Sequence, residues 1–227
     1  MPMKTEAVIF DLDNTLINRK LAFRAYSEHF IDRFVTARDA RQKEEFIEFM
    51  RVSDRDGYRD KREMVQECLA ALPMKNQDMT AEELLNHWFA EFYGYTVLMD
   101  GTLDVLDRLK QKHIKLGLIT NGSSHAQNSK IDKAQIRDYF DTVIVSGEAG
   151  FHKPDKRIFE LALRQLEAKP ENSWYVGDHP RNDIFGAASA GLNAIWLQGF
   201  MEWHSDLEEP KHRIGSLNEI IALIDNT

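Results

Sequence analysis

AVIFDLDNTLINRK, residues 7–20, opens with four apolar residues and runs at once into Asp11, Asp13, Asn14 and Thr15. A short β-branched run of this kind reads as a buried strand. Side chains two apart on an extended segment point the same way, so Asp11 and Asp13 can face one site at the strand's end. Four more short runs share the character of the first: LGLIT (116–120), TVIVS (142–146), SWYVG (173–177) and AIWL (194–197). Helical patterns separate them at 102–112, 156–168, 182–191 and 216–224, with Pro154 just ahead of the second, where proline suits a helix start. Strands alternating with helices predict an α/β fold with a doubly wound, Rossmann-like parallel sheet.

Between the first run and the second the pattern changes. From Leu16 to about Lys115 helical periods replace strands: Tyr26, Phe30 and Phe34 recur every fourth residue, and Thr80 and Glu83 stand at capping-box spacing. One crossover helix does not need so long a stretch. The expectation is an all-helical domain, 18–97, inserted after strand one and sitting over a core built from 1–17 and 98–227. The aromatic stripe Phe23, Tyr26, Phe30, Phe34, Phe46, Phe49, Trp88, Phe89 and Phe92 is expected to form its core. The lone cysteine, Cys68, reads as a buried thiol in a helix.

Composition narrows the class. The 227 residues are 43% hydrophobic and 29% charged, with a net charge of −8. That suits a globular chain with a real core, and an acidic surface disfavours nucleic acid and anionic membrane. No stretch has the length of a membrane span, and residues 7–10 are too short for a signal peptide. The expectation is a cytoplasmic protein, monomer or homodimer, with no nucleic-acid or membrane partner.

In open α/β sheets, ligands bind at the carboxyl ends of the strands. Those ends carry Asp11 and Asp13, then Thr120 with Asn121 and Gly122, then Lys153, then Asp178 with Asp183 five positions on. Clustered carboxylates are tolerable around a hard cation, and oxygen ligands suit Mg²⁺, which tends to bring substrate phosphate with it. A carboxylate approaching a phosphate dianion meets about 4 kcal/mol of repulsion per charge at about 4 Å and an effective dielectric near 20, roughly 8 in all. A divalent metal and one lysine reverse that sign. Thr120 adds a hydrogen bond to a phosphoryl oxygen, and the backbone N–H groups beside it, from Asn121 on, can do the same. Asp11 can then attack phosphorus while Asp13 serves as acid and later as base.

The set resembles the haloacid dehalogenase superfamily of phosphohydrolases. FDLDNTL (10–16), LITNG (118–122), HKPD (152–155) and VGDHPRND (176–183) match its four motifs in order, and a helical cap inserted after the first motif is also a family feature. The resemblance implies a phosphatase acting on a small-molecule phosphate monoester through an aspartyl-phosphate. It implies Asp11 as nucleophile and metal ligand, Asp13 as acid/base with its backbone carbonyl on the metal, and Asp178 as the third protein ligand of Mg²⁺. Thr120 and Lys153 would hold phosphate, Thr15 would brace the loop after Asp11, and Asp183 would support the site through water or Lys153. It also implies a central strand one.

Asp13 disfavours the family's carbon–halide hydrolases, whose leaving group needs no proton. A phosphomutase would use the same residues while excluding water. A receiver domain of two-component signalling is shorter and carries its phosphorylated Asp on a later strand. A catalytically weak metabolite-binding member is the remaining alternative. His152 and His179 read as loop residues, and Asn14 and Asn182 as turn formers. Substrate choice is assigned to the helical insertion, whose motion would gate the site. There SDRDGYRDKRE (53–63) reads as a solvated loop, with Arg55, Tyr58, Arg59 and Lys61 as candidate anion contacts and Arg19 or Lys20 near the entrance. The long segment 199–215 is expected to flank the site or to mediate a dimer.

Overall fold

The computed structural model describes residues 5–226, in two compact units. One comprises the described residues up to Asn18 and from Leu98 onward; the other is Arg19–Val97.

The first unit is built on a six-stranded, all-parallel sheet in the order β3-β2-β1-β4-β5-β6. Its strands are β1 (Ala7–Phe10), β2 (Lys115–Thr120), β3 (Thr142–Val145), β4 (Ser173–Gly177), β5 (Asn193–Leu197) and β6 (His212–Ile214). β1 lies in the middle, and all four of its residues are buried. Its alternate side chains go to opposite faces, as strand geometry demands. Val8 and Phe10 join the core made with Val105, Leu106 and Leu109 of one helix (Thr102–Gln111) and with Ile220, Ile221 and Ile224 of another (Ile220–Asp225). Ala7 and Ile9 join the opposite core, formed with Ile158, Phe159 and Leu163 of the helix Lys156–Leu166. A strand buried on both faces is why residues 7–10 read as a continuous apolar run rather than an alternating one.

Two elements were not legible in sequence. Helix Ser124–Lys133, whose N-cap Ser123 accepts from the Ala126 N–H, has little apolar content beyond Ile131. β6 has one large apolar residue, Ile214, and exists only because it pairs with β5. The segment 199–215 is therefore in part an edge of the sheet, and Trp203 packs edge-on to Trp196 at 5.0 Å. The pattern expected as one helix at 182–191 is broken: a π-helical turn, Pro180–Phe185, precedes a short α-helix, Gly186–Ser189.

The second unit is all-helical, with helices Arg19–Phe34, Ala40–Asp54, Lys61–Ala71 and Ala81–Glu91. Thr80 and Glu83 form the capping box. Tyr26, Phe30, Trp88 and Phe92 are in the core with Cys68, and Trp88 stacks on Phe92 at 4.1 Å; Phe89 of the expected stripe is instead 41% exposed.

The polar stretch 53–63 is not an open loop. The second helix runs on to Asp54, and residues 55–57 turn through left-handed backbone before the next helix starts at Lys61. Asp54 is buried and accepts from Arg19 Nη1 at 2.7 Å, Arg19 Nη2 at 3.1 Å and Lys61 Nζ at 2.7 Å. Burial pushes its carboxyl up, but the two cations outweigh it and hold it below the usual range. Lys61, a candidate anion contact from sequence, and Arg19, expected near the entrance, thus share this carboxylate. Asp54→Asn is expected to destabilise the protein by about 2 kcal/mol, since it weakens charged hydrogen bonds to two shielded cations. Denaturant unfolding checks this, and a change under about 0.5 kcal/mol would show that the cluster is not structural.

Candidate active site

Because every strand is parallel, the C-terminal ends of β1, β2, β3 and β4 open on one edge. Asp11 directly follows β1, and its N–H still continues the ladder to the Val176 carbonyl at 2.9 Å. The chain then coils tightly. Leu16 and Ile17 N–H both donate to the Leu12 carbonyl at 3.0 Å, and Asn14 takes a left-handed φ of 60°. Leu12 and Leu16 are fully buried and anchor the coil, and Thr15 Oγ1 donates to Asp11 Oδ2 at 3.3 Å.

Lys153 reaches Asp11 from across the sheet edge. Its Nζ lies 2.6 Å from Asp11 Oδ1, 2.7 Å from Asp183 Oδ1 and 2.9 Å from Tyr175 Oη. Asn121 does not point its amide outward: it accepts from the Lys153 N–H at 2.9 Å and donates to the Lys153 carbonyl at 3.0 Å, which ties the end of β2 to this lysine. Ser146 braces the same turn, accepting from the Gly122 N–H at 3.0 Å with His152 Nδ1 at 2.8 Å from its hydroxyl.

Asp178 follows β4, where Trp196 Nε1 donates to its carbonyl at 2.9 Å. Asp183 sits on the π-helical turn and accepts from the His179 N–H at 2.9 Å. A Cβ at Gly177 would run into the Asp183 carboxylate, so glycine at the end of β4 is what lets Asp183 come so close. His179 Nδ1 accepts from the Arg181 and Asn182 N–H groups and caps that turn.

Asp11, Asp178 and Asp183 each offer an oxygen within 4.8 Å of the others, and all three are buried. Burial pushes the Asp11 carboxyl up to about 7, with the charges of Asp183 and Asp13 adding to the shift against the pull of Lys153. Burial, then Asp183 and Asp11, likewise drives Asp178 well above the usual carboxylate range. Burial would pull Lys153 down, but Asp11 and Asp183 hold its ammonium well above its ordinary value. Three buried carboxylates around one ammonium leave an excess of negative charge. An all-oxygen set with that excess fits a hard divalent cation such as Mg²⁺.

The Asp13 carboxylate is not part of that cluster. It is held by Lys130 and Gln127 of the helix Ser124–Lys133, and Gln127 also reaches the buried Thr120 hydroxyl. Asp183 rather than the Asp13 carboxylate completes the carboxylate cluster. Sequence reasoning did not single out Tyr175, Gln127 or Lys130. The available signal was the pair Gln127 and Lys130, three apart and so on one helical face, soon after LITNG.

A family described as haloacid dehalogenase-like hydrolase matches residues 8–197. A phosphoserine phosphatase of Thermus thermophilus is 33% identical over 140 residues, 62% of this chain and 56% of that protein. A glyceraldehyde 3-phosphate phosphatase of Methanothermobacter thermautotrophicus is 46% identical over 94 residues, 41% of this chain and 42% of that protein. The chain thus spans about half the length of these two relatives. The solved structure of the HAD-hydrolase YfnB from Bacillus subtilis, bound to magnesium, has the same fold, with a TM-score of 0.74 and 23% identity over 98% of this chain and 99% of that one.

Proposed function

Since the chain belongs to the haloacid dehalogenase-like hydrolases, we propose that it is a Mg²⁺-dependent phosphatase of small-molecule phosphate monoesters, working through an aspartyl-phosphate on Asp11. The observation that carries this reading is Asp11 itself: a buried carboxylate gripped by Lys153 and Thr15, with Asp178 and Asp183 oxygens beside it.

Asp11, Asp178 and Asp183 would hold Mg²⁺, with the Asp13 backbone carbonyl as a further donor. The ion supplies positive charge that offsets the repulsion between Asp11 and the phosphate dianion. Lys153 and Thr120 bind phosphoryl oxygens, together with the backbone N–H groups at Asn121 and beyond. An Asp11 oxygen attacks phosphorus, the bond from phosphorus to the ester oxygen breaks, and Asp13 gives that oxygen a proton. Water then attacks phosphorus, Asp13 takes its proton, and Asp11 is released. Residues 18–97 are assigned the role of a cap that selects the substrate. No helix among the described residues is long and apolar enough to cross a membrane.

The test is phosphate release from an aryl phosphate, with Mg²⁺ or with a chelator, followed by a panel including phosphoserine and glyceraldehyde 3-phosphate, the compounds in the relatives' names. Release that needs the metal is expected. A folded, Mg²⁺-supplied protein that releases phosphate from no member of the panel would overturn the phosphatase reading. Isomerisation of a sugar phosphate without release would point to a mutase.

A further inference from the structure

The last rung of the β4–β5 ladder joins Gly177 to Trp196. Beyond it the chain leaves the sheet, and the next carbonyl, that of Asp178, is met by the Trp196 indole, whose Nε1 donates at 2.9 Å. On the other side of the same peptide unit, the His179 N–H donates to Asp183 Oδ2 at 2.9 Å. A peptide unit is planar, so these two hydrogen bonds grip one rigid plate from opposite edges. β4 fixes the peptide unit that precedes the Asp178 Cα, and this grip fixes the one that follows. The Asp178 Cα–Cβ bond is then left with one direction. Trp196 is 7% exposed, and Trp203 seats its ring edge-on at 5.0 Å. A buried indole N–H needs an acceptor. Here it takes one on the backbone of an acid whose carboxylate belongs to the cluster of Asp11, Asp178 and Asp183. Position 196 lies outside all four sequence motifs.

We propose that Trp196 is a positioning residue for the metal site: by holding the Asp178 carbonyl, it aims the Asp178 carboxylate toward Asp11 and Asp183. The proposal rests on the Mg²⁺ reading above. Mg²⁺ is small and demands near-ideal octahedral geometry, so a ligand whose backbone can turn binds it less well. Groups that orient metal ligands from behind change affinity by about 10- to 100-fold when they are removed. Trp196→Phe keeps an aromatic ring in the same seat and deletes the N–H. The Asp178 carbonyl then loses its hold, and the peptide unit is gripped from one edge only.

Isothermal titration of Mg²⁺ into the metal-stripped protein reads the effect directly. Trp196→Phe is expected to raise the Mg²⁺ Kd by about 10-fold, the lower end of that range. Phosphate release should then need correspondingly more Mg²⁺ for half-activation, while turnover at saturating metal stays near that of the wild type. Trp174, 1% exposed near the start of β4, is the control: Trp174→Phe is expected to lower the melting temperature and leave the Mg²⁺ Kd unchanged. A wild-type Kd in Trp196→Phe overturns the positioning role. So does an equal loss of affinity in Trp174→Phe, which would trace the effect to a loosened core. If Trp196→Phe does not fold, Trp203→Leu takes its place. That variant removes the ring that seats Trp196 and should weaken Mg²⁺ binding to a smaller degree; unchanged affinity there overturns the proposal. A wild-type protein that binds no Mg²⁺ is a separate result: it removes the metal reading itself, and this proposal with it.

Discussion

Asp11→Asn is expected to abolish Mg²⁺-dependent phosphate release, by roughly 10⁴-fold or more, the scale of loss when a covalent nucleophile is removed. The amide keeps the shape of the side chain but not the anionic oxygen that attacks phosphorus. Phosphoenzyme should vanish along with turnover. Stability should move the other way. Burial and neighbouring carboxylates push the Asp11 carboxyl up to about 7, against an ordinary value of 3.8. A carboxyl raised on folding binds more protons in the native state than in the unfolded chain. Stability is therefore lost as pH climbs between those two values, and the ionised form is a net cost above about pH 7. At pH 8 in chelator, Asp11→Asn should melt at or above the wild-type temperature. Residual Mg²⁺-dependent turnover within about 10-fold of wild type would rule Asp11 out as nucleophile. A clearly lower melting temperature would show that its contact with Lys153 outweighs the repulsion.

Lys153→Met carries the largest expected effect on stability. The lysine is 5% exposed and touches Asp11 Oδ1 at 2.6 Å and Asp183 Oδ1 at 2.7 Å, both themselves buried. Removing the cation leaves Asp11, Asp178 and Asp183 crowded together without it. Breaking a buried pair from one side costs about 3–5 kcal/mol. That loss should appear in denaturant unfolding with chelator present, and Mg²⁺ should restore part of it by supplying the missing positive charge. With Mg²⁺, phosphate release should fall sharply, because Lys153 is also assigned to the phosphoryl oxygens. A stability change below about 1 kcal/mol in chelator would mean that the carboxylates take up protons and do not depend on the lysine.

These predictions draw on residues that differ in how readable they were. Asp11, Thr120 and Asp178 stand at or just after the ends of apolar runs, and the rule that ligands bind at the carboxyl ends of parallel strands brings them together before any coordinates. Local pattern sufficed because an apolar run of four or five residues, buried on both faces, has few alternatives to a central strand. The helical character of the second unit was legible for the same kind of reason: period, and a capping box at Thr80 and Glu83. β6 was not, since three residues with a single large apolar side chain become a strand only by pairing with β5. The break of the 182–191 pattern into a π-turn and a short helix was also hidden. The backbone there bends to place Asp183, which Gly177 leaves room for.

By itself, then, the amino-acid order determined the first five strands and most of the helices between them, the doubly wound class, and the nucleophile candidate with its neighbouring carboxylates, because each depends on residues a few positions apart. Only the tertiary structure decided which groups those residues answer to. Asp13 meets Gln127 and Lys130, 114 and 117 positions away. Lys153 bridges Asp11 and Asp183, and Arg19 is spent on Asp54. Such pairings are settled by where the folded chain shuts out water: a buried charge must find a partner there, and spacing along the chain says little about which one.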